Sequence, residues 1–378
     1  MRITFVLPVV NMSGGIRVPA IYAKALMQMG HKVVLVSLPP DKTPLRRKIK
    51  AFLSGKGWPQ NIRKYKSHLD GQGFDHRVLD QCRIPINKDV PDGDVVVATW
   101  WETAEWVNEL GKEKGAKVYF IQGHEVFPHL PVERVHATYR LPFHHIVIAS
   151  WLQKIMNSLY GKATVDLVHN SVDHTQFFAP QRNRQSVPTV GFLYNKIPLK
   201  GVEVTLLALA KLKKVHPNLR AVCFGSQSPT IELPLEDWIE FQLEPEQDHI
   251  KDIYAQCDVW ITSSRTEGFN LTAMEAMACR TPIVSTRTGW PIEAIDSYKN
   301  GVLVDIDDVE GIVAGVQWVL GLSDSEWQKL SEAAYKTVEN SSWEKSAKLF
   351  EKALIHACER AQRGEIAGGI VNETIKSC

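Results

Sequence analysis

Short apolar runs alternate with amphipathic stretches along the whole chain. RITFVLPVV is followed by a helical pattern from about Ile16 to Met29, then by HKVVLVSL, DVVVATW, AKVYFIQ, HHIVIAS and ATVDLVHN. Runs this apolar suit strands that face protein on both sides, and the helices between them predict a parallel sheet covered on each face. The pattern then restarts from Val187 with PTVGFLYN, a helix from about Val202 to His216, LRAVCFGS, DWIEFQL, DVWITSS, a helix from about Leu271 to Cys279, and TPIVSTR. Between the two sets, FFAPQRNRQSVP is rich in proline and polar residues and has no period, which places the seam between Asp173 and Pro188. The expected division is a first domain over 1–175, a second over 176–345, and a terminal stretch over 346–378. That stretch carries a last helix, from about Trp343 to Arg363, expected to return to the first domain, and a weakly patterned tail from Gly364.

Length agrees with this division, since 378 residues exceed one ordinary core and fill two. The formal net charge of +2 provides no global basic field, and a nucleic-acid partner is not expected. The six cysteines are scattered without a CxxC pair, as in a reducing compartment, and a cytoplasmic location is expected. The opening apolar run is broken by Asn11 and by Ser13-Gly14-Gly15 and reads as a first strand, not a secretory leader. No stretch approaches the roughly 18 apolar residues that span a bilayer.

One segment departs from the balanced charge. From Asp41 to Leu69 the chain carries Lys42, Arg46, Arg47, Lys48, Lys50, Lys56, Arg63, Lys64 and Lys66 against almost no acid, with Leu45, Ile49, Phe52 and Leu53 at helical spacing. Two readings stand: a helix lying on the anionic inner face of a membrane or against an anionic acceptor, and an ordinary solvated helix.

The densest chemistry is SSRTEGFNLTAMEAMACRTPIVSTRTG. A strand ends at Ser263-Ser264, a loop holds Glu267-Gly268-Phe269-Asn270, and a helix begins near Leu271. A loop turning into a helix presents backbone N–H groups, here of Phe269, Asn270 and Leu271, that can hold a diphosphate without a metal. Gly268 lets the backbone come close. Glu275, one turn inside the helix, is positioned to accept from a ribose diol, while Glu267 at the loop tip is positioned for sugar hydroxyls.

This stretch resembles the E-x7-E signature of the retaining glycosyltransferases of family 4, which have the GT-B fold: two Rossmann-like α/β domains facing a central cleft. The flanking DIYAQCDVWITSSRTEGF and TPIVSTRTGWPIEAI, and then Asn300-Gly301-Val302-Leu303-Val304, resemble that family's second domain in order and spacing. Lys200-Gly201 resembles the family's Lys-Gly, whose lysine contacts donor phosphate and offsets charge on the leaving diphosphate. The family's arginine five or six residues earlier is missing, Tyr194 and Asn195 standing in that region, with Lys196 as a candidate second cation. In the first domain Ser13-Gly14-Gly15 resembles the glycine-rich loop that approaches the donor. In FIQGHEVF, His124 and Glu125 follow an apolar strand, where open α/β sheets place ligands. Relatives carry a sugar-contacting histidine hereabouts, and rhamnosyltransferase-like members read Gln-x-x-Glu, which Gln122 to Glu125 also satisfies. Either His124 or Glu125 faces the sugar. Asn170-Ser171-Val172-Asp173 resembles the family's interdomain Asn-Gly-Val-Asp.

The resemblance implies a nucleoside-diphosphate sugar donor, an acceptor of unstated class, retention at the anomeric carbon, and no metal or other cofactor. Two other readings are a nucleotide-sugar epimerase on this scaffold and a nucleotide-sugar-binding protein that lacks catalysis, the latter prompted by the missing arginine.

Overall fold

The computed structural model describes residues 1–40 and 66–369. The basic segment singled out above lies outside the described residues, apart from its last few positions. Contacts divide the chain into two compact units. The first comprises Met1–Ile148, Leu152–Val168 and the chain from Ala347 onward, and the second comprises Ala149–Trp151 and His169–Ser346.

In the first unit the apolar runs form β1 (Arg2–Leu7), β2 (Lys32–Ser37), β3 (Asp75–Val78), β4 (Val95–Ala98), β5 (Ala116–Ile121), β6 (His144–Val147) and β7 (Val165–Leu167). They make one parallel sheet in the order β3-β2-β1-β4-β5-β6-β7. Strands β4, β5 and β6 are buried at every position; VVVA in β4 accordingly reads as a continuous apolar run, while β5 buries Lys117 and β6 buries His144 and His145 among apolar neighbours. Around them lie α1 (Gly14–Gln28), α2 (Trp101–Glu109), α3 (Val132–Arg140) and most of α4 (Ser150–Tyr160).

The second unit repeats the design. Strands β8 (Thr189–Leu193), β9 (Arg220–Gly225), β10 (Ile239–Leu243), β11 (Val259–Thr262), β12 (Ile283–Thr286) and β13 (Val302–Val304) are parallel, in the order β10-β9-β8-β11-β12-β13. Its helices are α5 (Val202–Val215), α6 (Ile250–Ala255), α7 (Leu271–Ala278), α8 (Pro291–Ala294), α9 (Val309–Gly321) and α10 (Asp324–Val338). The core between α5, α9 and the sheet holds Val190, Phe192, Leu209, Ile261, Val284, Val316 and Trp327, all essentially buried.

Helix α11 (Trp343–Gln362) belongs to the first unit from Ala347 on. There Phe350 is fully buried against Tyr22, Phe120 and Phe5, with ring centroids at 4.5, 5.0 and 6.2 Å. Burying one such ring contributes about 1.5–3 kcal/mol, so the terminal helix is a structural part of the first unit's core. Among the described residues, no helix is long and apolar enough to cross a membrane.

In both sheets the winding reverses beside the first strand, between β1 and β4 and between β8 and β11. The loops after these neighbouring strands therefore open side by side at the carboxyl edge, the usual ligand position of such sheets.

Candidate nucleotide-sugar site

In the second unit, β8 and β11 pair with Ile261 beside Phe192, so the segments that follow them emerge together. The turn after β8 runs through a single helical turn at Pro198–Lys200 and docks on the end of β11. The Arg265 amide donates to the Leu199 carbonyl at 2.8 Å, the Arg265 guanidinium to the Pro198 carbonyl at 2.6 Å, and the Ser263 hydroxyl to the Gly201 carbonyl at 2.7 Å. Gly201 has φ +59° and starts α5, and a Cβ at this position would stand 2.1 Å from the Ser263 carbonyl oxygen. Only glycine suits both the left-handed backbone and that approach.

This docking brings two residues singled out from the sequence together. Lys200 Nζ donates to Glu267 Oε1 at 2.6 Å, and the same oxygen accepts from the Ser264 hydroxyl at 2.7 Å. The pair is partly buried, at 30% exposure for the lysine side chain and 13% for the glutamate, so its charges are weakly screened.

The loop that follows is pinned by its carbonyls. Trp151 Nε1 donates to the Gly268 carbonyl at 3.0 Å and the Trp290 amide to the Phe269 carbonyl at 2.7 Å, with the Phe269 and Trp290 rings stacked at 5.6 Å. In a trans peptide the N–H points opposite to the C=O, so each pinned carbonyl aims the next amide, of Phe269 and then of Asn270, away from its tether. Asn270 caps α7 from a left-handed conformation, φ 79°, which asparagine tolerates better than other side chains. Its Oδ1 accepts from the Ala273 amide at 3.3 Å and the Thr272 hydroxyl at 3.0 Å, while its Nδ2 donates to Thr262 Oγ1 at 3.1 Å. Such a cap contributes about 1 kcal/mol and here also ties the helix to β11. The amides of Leu271 and Thr272 lie in the first turn, where no intrahelical acceptor exists, beside the positive end of the helix dipole.

Glu275 lies one turn inside α7, only 5% exposed among alanines and methionines, and its Oε2 accepts from the Tyr254 hydroxyl at 2.9 Å. Lys196 is exposed, and its charge helps hold the Glu232 carboxyl below the usual range, after that residue's own backbone bond and the Thr230 hydroxyl. The structure therefore gathers Lys200, Glu267, Gly268, Phe269, Asn270, Leu271 and Glu275 on one sheet edge and gives Lys196 a different neighbour.

In the first unit, α1 begins at Gly14 with Ser13 as its extended N-cap. Pro19 lies inside the helix and has no N–H to offer the Gly15 carbonyl, and Gln122 Nε2 fills that role at 3.0 Å from the end of β5. A side chain from the Gln-x-x-Glu stretch thus secures the glycine loop.

The alternative between His124 and Glu125 resolves into two different environments. Glu125 is turned inward, 4% exposed, and its Oε2 accepts from the Trp101 amide at the start of α2 at 3.0 Å and from Tyr119 Oη at 3.4 Å. Burial pushes its carboxyl well above the usual range, outweighing both donors. His124 is half-buried, and its Nε2 meets Tyr160 Oη at 2.7 Å, with His136 Nδ1 on the same oxygen at 2.8 Å. Burial, then the nearby His136, holds His124 below the usual histidine value, so its ring is neutral at pH 7.

Among the described residues, one group has the composition of a metal site: His144, Asp166 and His356 of the first unit. Asp166 Oδ2 lies 3.0 Å from both His144 Nε2 and His356 Nδ1. On its other side, His144 Nδ1 lies 3.1 Å from the Arg360 guanidinium, a group that only donates. His144 Nδ1 must then be the acceptor and Nε2 the protonated nitrogen facing Asp166. That tautomer fits a hydrogen-bonded clamp between β6, β7 and α11, not a cation ligand.

Residues 173–337 match the family model described as glycosyl transferases group 1. The chain is 31% identical over 190 residues to a D-inositol 3-phosphate glycosyltransferase of Corynebacterium jeikeium, a match spanning 47% of this chain and 45% of the relative. The chain thus spans just under half the length of that curated relative. Among solved structures, a sucrose-phosphate synthase from Thermosynechococcus elongatus aligns with TM-score 0.69 at 14% identity, covering 96% of this chain and all of the other. Anabaena HepE in complex with UDP-glucose aligns with TM-score 0.66 at 14% identity, over 96% of this chain and all of that one. The two parallel α/β units are those of the GT-B fold.

Sequence reasoning missed the residues that hold the site in place. Trp151, Trp290, Tyr254 and Ser263 lie in apolar or commonplace contexts, and only their partners reveal their roles. A signal was available for Gly289, which has φ +64° and whose Cβ would stand 2.7 Å from the Phe269 carbonyl oxygen: it precedes Trp290 in a TRTGWP turn.

Proposed function

We propose that the chain is a retaining, metal-independent glycosyltransferase that moves a sugar from a nucleoside-diphosphate sugar to an acceptor. The observation that carries this reading is the convergence of Lys200, Glu267 and the amino end of α7 on one sheet edge, with Glu275 one turn further in. The diphosphate takes the amides at the start of α7 and the Lys200 ammonium, the ribose takes Glu275, and the sugar hydroxyls take Glu267. Lys200 leaves Glu267 as the donor arrives, exchanging a carboxylate for phosphate oxygens, and offsets the charge that grows on the leaving diphosphate. The leaving phosphate then accepts the acceptor's proton on the face it departs from, so configuration is retained without a dedicated protein base. The ligands named for similar folds, UDP-glucose in HepE among them, make UDP-sugars the first donors to try.

The test is release of nucleoside diphosphate from UDP-, GDP-, ADP- and dTDP-sugars with candidate acceptors. Turnover with retained configuration supports the reading. Binding without turnover favours the non-catalytic alternative, to which the exposed position of Lys196 lends weight. Within the site, Glu275→Ala is expected to weaken binding of the bare nucleotide, whereas Glu267→Ala is expected to slow transfer more than it weakens that binding. Equal effects of the two would overturn this division of roles.

A further inference from the structure

Resting on that reading of Glu275, we propose that Tyr254 is a positioning residue for the nucleotide, fixing the carboxylate that receives the ribose. A glutamate side chain inside LTAMEAMA, 5% exposed, needs a donor to remain there and a constraint to keep one orientation. Tyr254 supplies both through its hydroxyl, 2.9 Å from Glu275 Oε2. The donor is itself held from several sides. Tyr254 is fully buried, its ring meets Trp260 edge-on at 4.5 Å and Phe224 at 5.9 Å, and its carbonyl accepts from Thr281 Oγ1 at 2.7 Å and from the Cys257 amide at 3.0 Å. Thr281 also accepts from Arg182 at 3.1 Å. The tyrosine on α6 is thus a fixed post from which one oxygen of a side chain on α7 is steered. A supporting shell of this kind determines whether a binding group sits within about half an ångström of its working position.

The readout is discrimination between a ribonucleotide and its 2′-deoxy counterpart, which a general packing defect does not alter. Binding of UDP, GDP and ADP and of their 2′-deoxy forms is measured calorimetrically on the full chain, and the tightest pair is carried forward. The wild-type protein is expected to prefer the ribonucleotide. Tyr254→Phe removes one hydroxyl and keeps the ring; it is expected to weaken ribonucleotide binding by about tenfold, the scale of one hydrogen bond to a charged group, and the deoxy form much less. Discrimination should then approach that of Glu275→Gln, and the double variant should be no worse than Glu275→Gln alone. Thr281→Val, which loosens the post without touching its hydroxyl, should shift discrimination the same way by a smaller factor, and serves if Tyr254→Phe does not fold. Equal weakening of both nucleotides by Tyr254→Phe, or unchanged discrimination, overturns the proposal. A wild-type protein that binds a pair without discriminating overturns the ribose role of Glu275 first, and the proposal with it.

Discussion

Gly201 is where the second unit's local geometry is most exposed to a single atom. Replacing it with alanine adds a Cβ at a backbone with φ +59°, which costs about 1–2 kcal/mol for any L side chain. The same atom would stand 2.1 Å from the Ser263 carbonyl oxygen, a backbone atom at the end of a central strand that cannot swing aside as a side-chain tip would. Forcing the turn and strand apart costs a further ~1–3 kcal/mol. The sum, about 2–5 kcal/mol, should lower the unfolding midpoint of this unit by roughly 5–20 °C. The displacement also acts on function, because Lys200 is the preceding residue and Ser263 lies just upstream of Glu267. The 2.6 Å pair between them should open, and nucleotide binding should weaken with it. Gly321→Ala in the same unit is the control: it closes α9, and a Cβ there meets nothing within 4 Å. Differential scanning calorimetry with nucleoside-diphosphate titration decides the matter. If Gly201→Ala melts within about a degree of Gly321→Ala and binds as the wild type does, the steric account of this turn is wrong.

Two buried titratable groups of the first unit should shape its pH stability in opposite directions. Burial raises the Glu125 carboxyl well above its ordinary 4.5, so the unfolded chain releases that proton first and stability falls as pH rises from there towards the folded value. Glu125→Gln keeps the shape of the neutral acid, and its stability relative to wild type should improve by up to about 1.4 kcal/mol per pH unit across that window; parallel denaturation profiles would refute this. His145 is fully buried, with neither ring nitrogen paired among the described residues, and burial holds it well below 6.5. The unfolded chain takes that proton first as pH falls, so stability drops below about 6.5. His145→Phe should lack this loss and gain about 2 kcal/mol on wild type between pH 6.5 and 5, as read from urea unfolding; no relative gain would show that His145 finds a partner in solution.

The fold was legible because its cause is periodic. Strands buried on both faces are dominated by apolar residues, at every position of VVVA in β4 and at all but the terminal Thr262 of VWIT in β11, and the alternation with helices admits few topologies. Glu267 and Asn270 were legible because a helix start declares itself in sequence. What remained hidden depends on partners distant along the chain. Nothing near Glu125 indicates that its carboxyl caps a helix starting at Trp101, whereas His124, one residue earlier, meets a tyrosine from another helix. Likewise Tyr254 and Glu275 lie 21 positions apart, and neither sequence context suggests the other. Lys196 is a candidate second cation because it stands near the position of the family's arginine, and nothing in that local sequence indicates that its charge acts on the Glu232 carboxyl, 36 positions further on.

On the proposed reading the missing arginine has a physical answer that does not require a substitute side chain. Arg265 is a cation adjoining this loop, but its guanidinium is shared between Asp307 at 2.7 Å and Glu203, so its charge is already balanced. Lys200 is likewise matched to Glu267 until a ligand arrives. What stays positive are backbone dipoles: the amino end of α7, equivalent to about half an elementary charge, and the amides of Phe269 and Asn270. Because Trp151 and Trp290 fix the carbonyls on the opposite edges of those peptides, the amides are oriented before a diphosphate binds and pay no reorganisation when charge develops. On the proposed reading Lys200 is then the mobile charge of the set, and its release from Glu267 would couple arrival of the diphosphate to freeing the carboxylate assigned to the sugar.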